Sequence, residues 1–179
     1  MALVGAVAAP AAADEYTDTI ALFRKSPAVK PFFKSAYGYA VFPNVGKGGI
    51  GIGGAYGKGR VYRRGKVTGT VSLFKASIGL QLGGQVFSEI IFFKDKRAYE
   101  DFTRGNFEFD ATASAVAITV GAEARAGTQG TTAGVSTSPA SGKQVAAGYR
   151  KGMAVFVHAK GGLMFEAAVG GQKFKFTPK

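Results

Sequence analysis

The chain has 179 residues, a formal net charge of +12 and a pI near 10.0. Its length permits one domain with a sizeable core, and a hydrophobic content of 46% argues against a disordered chain. The absence of cysteine excludes disulfides, thiol catalysis and thiolate metal sites, and the positive charge predicts an anionic partner.

Residues 2–13 (ALVGAVAAPAAA) form an apolar run that ends in an Ala-x-Ala triplet. Such a run is typical of the end of a secretory signal peptide, and at twelve residues it is too short to span a bilayer. The alternative is a disordered tail, and in either case we expect residues 1–13 to lie outside the fold. The signal interpretation predicts export to the periplasm or cell envelope.

Two short helices are predicted next. Residues 14–25 have Asp14 as a possible N-cap, acidic residues in the first turn and basic residues in the last. A second helical segment follows Ser26, with Phe32 and Phe33 on its apolar side and Lys30 and Lys34 one turn apart beside them. Because cations beside apolar rings suit a lipid headgroup region, these four residues are a candidate membrane contact, although core packing explains the two rings equally well.

Residues 37–43 predict a strand, and residues 46–66 (GKGGIGIGGAYGKGRVYRRGK) a glycine-rich β-hairpin with a turn at Arg64-Gly65. Glycine on one side of a strand allows another element to approach the backbone closely. The hairpin carries the basic residues Lys58, Arg60, Arg63, Arg64 and Lys66. It lies in a segment with eleven basic and no acidic residues between Asp18 and Glu89, and it is the strongest candidate contact with an anionic surface.

The remainder predicts strands within residues 70–94, a helix over 95–104 capped by Asp95, and an alternating strand with an alanine face over 107–125. Residues 127–143 are predicted to be a mobile loop, and the last strands, 145–158 and 163–176, to be joined in a hairpin at 160–162. We therefore predict residues 14–179 to be one α+β, β-rich domain. Its core is a curled antiparallel or barrel-like sheet of about seven to eight strands, with two or three short helices.

Catalytic and metal sites are not predicted. His158 is the sole histidine and has no identifiable partner for general base or zinc chemistry nearby in the sequence. The strand carboxylates Glu89, Glu108, Asp110 and Glu166 are expected to be partners for the abundant Lys and Arg, with Glu166 in a buried ion pair. The G-x-G-x-x-G match at 46–51 lacks the helix that a dinucleotide site requires, so no cofactor is expected.

Four blocks of the sequence resemble the SYLF domain family. They are residues 40–43 (AVFP), 53–59 (GGAYGKG), 77–85 (SIGLQLGGQ) and 160–168 (KGGLMFEAA). The G-x-Q-x-G-x-Q pattern in 77–85 is the most specific of them, and together with their spacing they cover roughly residues 16–176.

The resemblance implies a non-enzymatic lipid-binding domain. In eukaryotes the family binds phosphoinositides and sometimes actin, beside partner domains that this chain does not show. The chain is similar to stand-alone bacterial members, for which phosphatidylglycerol, cardiolipin or another anionic envelope lipid is the expected partner. The expected mechanism is peripheral, electrostatic docking on acidic phospholipid through the basic hairpin and the segment from Lys30 to Lys34.

Three other functions fit parts of the sequence. An envelope scaffold or interaction module without lipid activity would have the same fold, with protein partners that the sequence does not identify. A nucleic-acid binder fits the charge and the aromatic residues, but the export signal argues against it. An outer-membrane barrel fits the alternating strands and glycines, but the predicted helices and basic strands argue against it.

Overall fold

A computed structural model describes residues 10–46, 55–75, 86–118, 148–159 and 169–179 of the chain. The helices of this part are α1 (Pro10–Arg24), α2 (Lys30–Ser35) and α3 (Lys96–Thr103). The strands are β1 (Gly38–Gly46), β2 (Ala55–Arg63), β3 (Lys66–Lys75), β4 (Phe87–Phe93), β5 (Phe107–Glu108), β6 (Val116–Ala117), β7 (Met153–Ala159) and β8 (Lys173–Pro178). Among the described helices, none is long and apolar enough to cross a membrane.

All eight strands belong to one sheet in the order β5-β8-β3-β2-β1-β4-β7-β6. Every neighbouring pair is antiparallel except β6 and β7, which are parallel. The sheet curls into a half-barrel, and both edge strands are only two residues long, which limits exposed strand edges. The predicted fold class, a β-rich α+β domain with a curled sheet, is confirmed.

Both faces of the sheet are buried. One face, here the α1 face, packs under α1 and α2 and contains Phe23, Phe32, Val41, Ile90, Phe92 and Phe156. The opposite α3 face packs under α3 and the segment after it and contains Phe42, Leu73, Ile91, Phe93, Phe102 and Phe174. Burial on two sides explains why every residue of β4 and β7 is buried and why residues 90–93 form a continuous apolar run.

Glycine in β2 allows the close approach that the sequence predicted. A Cβ atom on Gly59 would lie 2.6 Å from the carbonyl oxygen of Val41 and 2.6 Å from the ring of Phe42, which is closer than real Cβ contacts. Gly57 is similarly close to Val45. The Phe42 ring of β1 therefore occupies the space that a side chain at residue 59 of β2 would fill.

The helices differ in part from expectation. Helix α1 begins at Pro10, so Asp14 lies inside it and is not its N-cap, and residues 10–13, which we expected outside the fold, are helical. Helix α2 tolerates Pro31 because this residue lies in its first turn, where the missing N–H has no intrahelical partner to lose. For α3 the prediction is confirmed: the Asp95 side chain accepts a hydrogen bond of 3.0 Å from the backbone N–H of Ala98.

One strand prediction is wrong. The alternating strand expected from residue 107 onward is interrupted, because Asp110 accepts hydrogen bonds from both the backbone N–H and the hydroxyl of Thr112 and turns the chain there. Strand β7 pairs with β4 and β6, and β8 pairs with β3 and β5, whereas the predicted hairpin turn at 160–162 and the start of its second strand lie outside the described residues. The predictions for residues 47–54, 76–85, 119–147 and 160–168, including the 127–143 loop and Glu166, lie outside the described residues.

Candidate functional site

The turn between β2 and β3 carries three exposed cations. Arg64 and Gly65 both have positive φ angles, 53° and 80°, which is the pattern of a type I′ hairpin turn and matches the twist of paired strands. Arg63 and Lys66 are paired in register on either side of it, and both are exposed together with Arg64. The predicted turn at Arg64-Gly65 and its basic tip are therefore present, and the second arm of the hairpin, β3, extends beyond the predicted range of 46–66.

Helix α2 ends beside this turn. After Lys34 and Ser35 the chain enters β1, whose first residue, Gly38, is paired in register with Arg63. Lys34 is exposed. The order of the elements thus brings the end of α2 and the tip of the hairpin to the same end of the sheet.

A chain of rings fixes this arrangement. The Tyr39 and Tyr62 rings are stacked with centroids 5.2 Å apart, and the Phe33 ring meets Tyr39 edge-on at 5.3 Å. The Arg24 guanidinium lies 4.2 Å above the centre of the Phe33 ring. Burial raises the pKa of Tyr39, and the neighbouring Arg24 charge opposes that rise. The C-terminus of α1, helix α2 and the β2 strand are therefore packed as one unit.

A third loop adds cations that the sequence did not predict for this site. Gly38 is paired with Phe93 as well as with Arg63, so the end of β4 is close to the hairpin tip. Lys94 follows directly, and Arg97 lies in the first turn of α3; both are exposed. We call the surface formed by these three loops the basic end; it consists of Lys34, Arg63, Arg64, Lys66, Lys94 and Arg97.

The basic end is poorly neutralised. In the β4–α3 loop, Asp95 lies beside Lys94 and caps α3, and Lys96 forms an ion pair of 4.0 Å with Glu100. Away from this end, Arg104 and Lys151 form ion pairs of 3.0 and 2.6 Å with Asp101 and Asp110. No salt bridge to the six residues of the basic end occurs within the described parts of the chain. Arg63 also lies 5.7 Å above the Tyr99 ring, a contact that leaves its charge exposed. The basic end therefore presents a positive potential to solvent.

The other two basic residues of the predicted hairpin lie away from its tip. Lys58 is exposed in the middle of β2, about 20 Å from Arg64 at the usual rise per strand residue. Arg60 is half-buried, with its guanidinium 4.3 Å above the Tyr16 ring of α1. The structure thus divides the predicted cluster, and Arg60 serves packing between α1 and the sheet.

The two phenylalanines of α2 are packed rather than displayed. Phe32 is 9% exposed, and its ring lies within 5.1 to 5.6 Å of Phe92, Tyr149 and Phe156. Phe33 is half-buried between Tyr39, Phe92 and the Arg24 guanidinium. Lys30, one turn before Lys34, is exposed.

A cavity of about 400 Å³ lies between β5, the segment after it and β7. Phe107, Phe109, Val116 and Val155 contribute its apolar wall, while Asp110 and Lys151 form an ion pair at its edge. A hydrogen bond from the Lys151 side chain, followed in effect by hydrogen bonds from the hydroxyl and the backbone N–H of Thr112, lowers the pKa of the exposed Asp110 to about 2. This carboxylate is a partner for a cation, as predicted.

Two groups considered for catalysis lie inside the sheet. His158 is 8% exposed on β7, opposite Ser88 of β4. Glu89 is fully buried, and its hydrogen-bond partner is the amide of Gln172 rather than a basic side chain. In the described part of the chain no group of three or more metal-ligating side chains converges.

Two comparisons with known proteins bear on the family. The chain is 28% identical over 160 residues to Beta cell expansion factor A of Aeromonas veronii, an alignment that covers 88% of this chain and 52% of the relative. The chain thus spans about half the length of the curated relative it matches, and neither this name nor the family's description is that of an enzyme. The model of the Ysc84 family, described as Las17-binding protein actin regulator, matches residues 74–176. Because this match covers more than half of the chain, the chain belongs to the Ysc84, or SYLF, family, whose domains are of the lipid-binding or actin-regulator type.

Proposed function

We propose that the chain is a non-enzymatic domain that binds membranes containing acidic phospholipid, and that the basic end makes the contact. The single observation that carries this proposal is the convergence of six exposed cations from three loops without described ion-pair partners. A flat anionic surface can meet all three loops at once, since they lie at one end of the sheet. Family membership supports a lipid as the ligand, whereas the preference for acidic headgroups is our proposal.

The strength of the contact follows from the charge count. A basic residue near an acidic membrane contributes about 1 kcal/mol, so six would give an affinity that needs no fitted pocket. Because the residues are exposed, salt would screen them strongly. We further propose that the domain is exported and meets phosphatidylglycerol or cardiolipin in a bacterial envelope, as the apolar run of residues 2–13 suggests.

The proposed contact is narrower than the one predicted from the sequence. It keeps Lys34, Arg63, Arg64 and Lys66, and it adds Lys94 and Arg97. Phe32 is left out because burial holds its ring away from any surface. The membrane contact would therefore be electrostatic, with little insertion of aromatic side chains.

Vesicle co-sedimentation tests the proposal with two matched triple variants. The first, R63Q/R64Q/K66Q, neutralises the turn; the second, K58Q/K173Q/K175Q, removes the same charge from exposed positions elsewhere on the sheet. On vesicles with phosphatidylglycerol, we expect the first variant to bind about a hundredfold more weakly, since three contacts contribute about 3 kcal/mol. We expect the control to bind nearly as the wild type does.

Several results would contradict the proposal. Equal losses in the two variants would mean that net charge, not the basic end, determines binding. Equal binding to zwitterionic and acidic vesicles, or binding that high salt leaves unchanged, would refute the electrostatic mechanism. If the wild-type protein does not bind acidic vesicles, the interaction module without lipid activity is favoured. If DNA displaces the protein from vesicles, nucleic acid is favoured as the ligand.

A further inference from the structure

Glu89 is a carboxyl group in the middle of an apolar core. It lies on β4, in register with Phe42 of β1 on one side and Val157 of β7 on the other. Its exposed fraction is 0%, and both register neighbours belong to the α3-face core. An ionised carboxylate at such a position needs several donors to replace the water it has lost.

The structure provides one such donor. The Gln172 side chain, also buried, donates a hydrogen bond of 3.0 Å from Nε2 to Glu89 Oε1. This leaves two buried oxygens, Glu89 Oε2 and Gln172 Oε1, without a partner among the described residues. If Glu89 were ionised, both oxygens would be acceptors only, and each would carry the cost of an unsatisfied buried group.

One proton satisfies both oxygens. A neutral carboxylic acid and a primary amide can exchange two hydrogen bonds, one N–H to the acid carbonyl and one O–H to the amide carbonyl. We propose that Glu89 is protonated on Oε2 in the folded protein and donates to Gln172 Oε1, so that the two side chains form a neutral acid–amide pair.

The electrostatic surroundings agree with this assignment. Burial raises the pKa of Glu89 to about 8, against the smaller, opposing effects of the Gln172 hydrogen bond and the Lys75 charge. From β1 and β7 the register neighbours are Phe42 and Val157, which are uncharged. The charge of Lys75 on β3, a side chain that is also buried, acts on Glu89 and opposes its protonation, but with a smaller effect than burial.

The acid–amide pair joins distant parts of the sheet. Gln172 leads directly into β8, and β8 and β4 are separated by β3, β2 and β1 in the strand order. In a flat sheet these strands would be about 19 Å apart, so the contact exists only because the sheet curls. We call the pair a latch because it holds β4 and the start of β8 together across the half-barrel. Its O–H hydrogen bond is lost when Glu89 loses its proton.

Carbon-13 NMR of the full chain tests the protonation state directly. We expect the side-chain carboxyl carbon of Glu89 to titrate with a midpoint near pH 8, and its signal to be identified by its absence in Glu89→Gln. A midpoint in the ordinary range of glutamate, near 4, would overturn the proposal. The titration itself is measured on the wild-type protein, and Glu89→Gln serves only to assign the signal.

Urea denaturation at several pH values tests the latch. We expect the unfolding equilibrium constant of the wild type to rise about tenfold per pH unit between pH 4 and 8, relative to Glu89→Gln, in which two amides form the same pair of bonds. The exchanged variant E89Q/Q172E should regain the pH dependence, and the exposed control Glu100→Gln should keep the wild-type profile. A wild type and a Glu89→Gln variant with parallel profiles, or an exchanged variant without the dependence, would refute the acid–amide pair.

Discussion

Truncating Phe32 to alanine separates the two roles that the sequence left equally open for this ring. If Phe32 inserted into a membrane, its loss would weaken vesicle binding and leave the free protein nearly unchanged. The structure instead buries it, with 9% exposed, against three aromatic rings at centroid distances of 5.1 to 5.6 Å. The effect of Phe32→Ala should therefore be seen in stability without any lipid.

The magnitude follows from the packing. Removing a buried phenylalanine costs about 3–5 kcal/mol through lost transfer free energy and the cavity left behind. Contacts with other rings add about 0.5–1.5 kcal/mol for a good pair, which favours the upper part of that range for Phe32. A domain with a typical unfolding free energy of about 5–15 kcal/mol would lose a large part of its stability.

Urea denaturation without lipid measures this loss, with Phe33→Ala as the matched control. Phe33 is half-buried, so we expect its truncation to cost about 1–2 kcal/mol. Vesicle binding is then compared under conditions where both variants are folded, and we expect it to stay close to wild type. The reasoning is wrong if Phe32→Ala costs less than about 1 kcal/mol while vesicle binding falls tenfold or more.

Three further predictions concern the fold. Gly59→Ala should destabilise the protein by about 1–3 kcal/mol in urea, because its new Cβ would press on Phe42; an unchanged midpoint would contradict the close approach. Asp95→Ala should cost about 1 kcal/mol by removing the cap of α3, whereas Asp95→Asn should retain most of it. For Glu89 the folded pKa lies above the unfolded one, so the stability it provides is complete below pH 4 and lost as pH rises through about 8. The loss totals about 5 kcal/mol, and calorimetry that shows rising stability over this interval would refute the sign.

Local signals explain which parts of the structure could be predicted. The cap and end of α3, the turn at Arg64-Gly65 and the doubly buried β4 are each determined by neighbouring residues. The basic end is different, since Lys66 and Lys94 come to the same end of the sheet only through the register of β1 with both β2 and β4. This strand register cannot be predicted from any local sequence pattern.

The buried residues show a second limit of the sequence. A helical period identifies the apolar side of α2 but does not distinguish a side that faces a core from one that faces a membrane, so Phe32 remained ambiguous. Glu89 was expected to pair with a cation, yet its partner is an amide 83 residues away. Such a pair depends on the curl of the sheet, which is a property of the whole fold.

The position of the basic end also sets an orientation. Strands β2 and β4 end at the basic end, and β1, β3 and β7 begin there. The strand axes therefore point toward the surface that the basic end contacts. A bilayer docked on the basic end would hold the strands steeply inclined to the membrane plane. Asn44, near the far end of β1, would then stand away from the lipid. A fluorophore at residue 44 should accordingly report a longer distance to labelled headgroups than one at residue 64. The difference between the two distances measures how the strands are oriented relative to the bilayer.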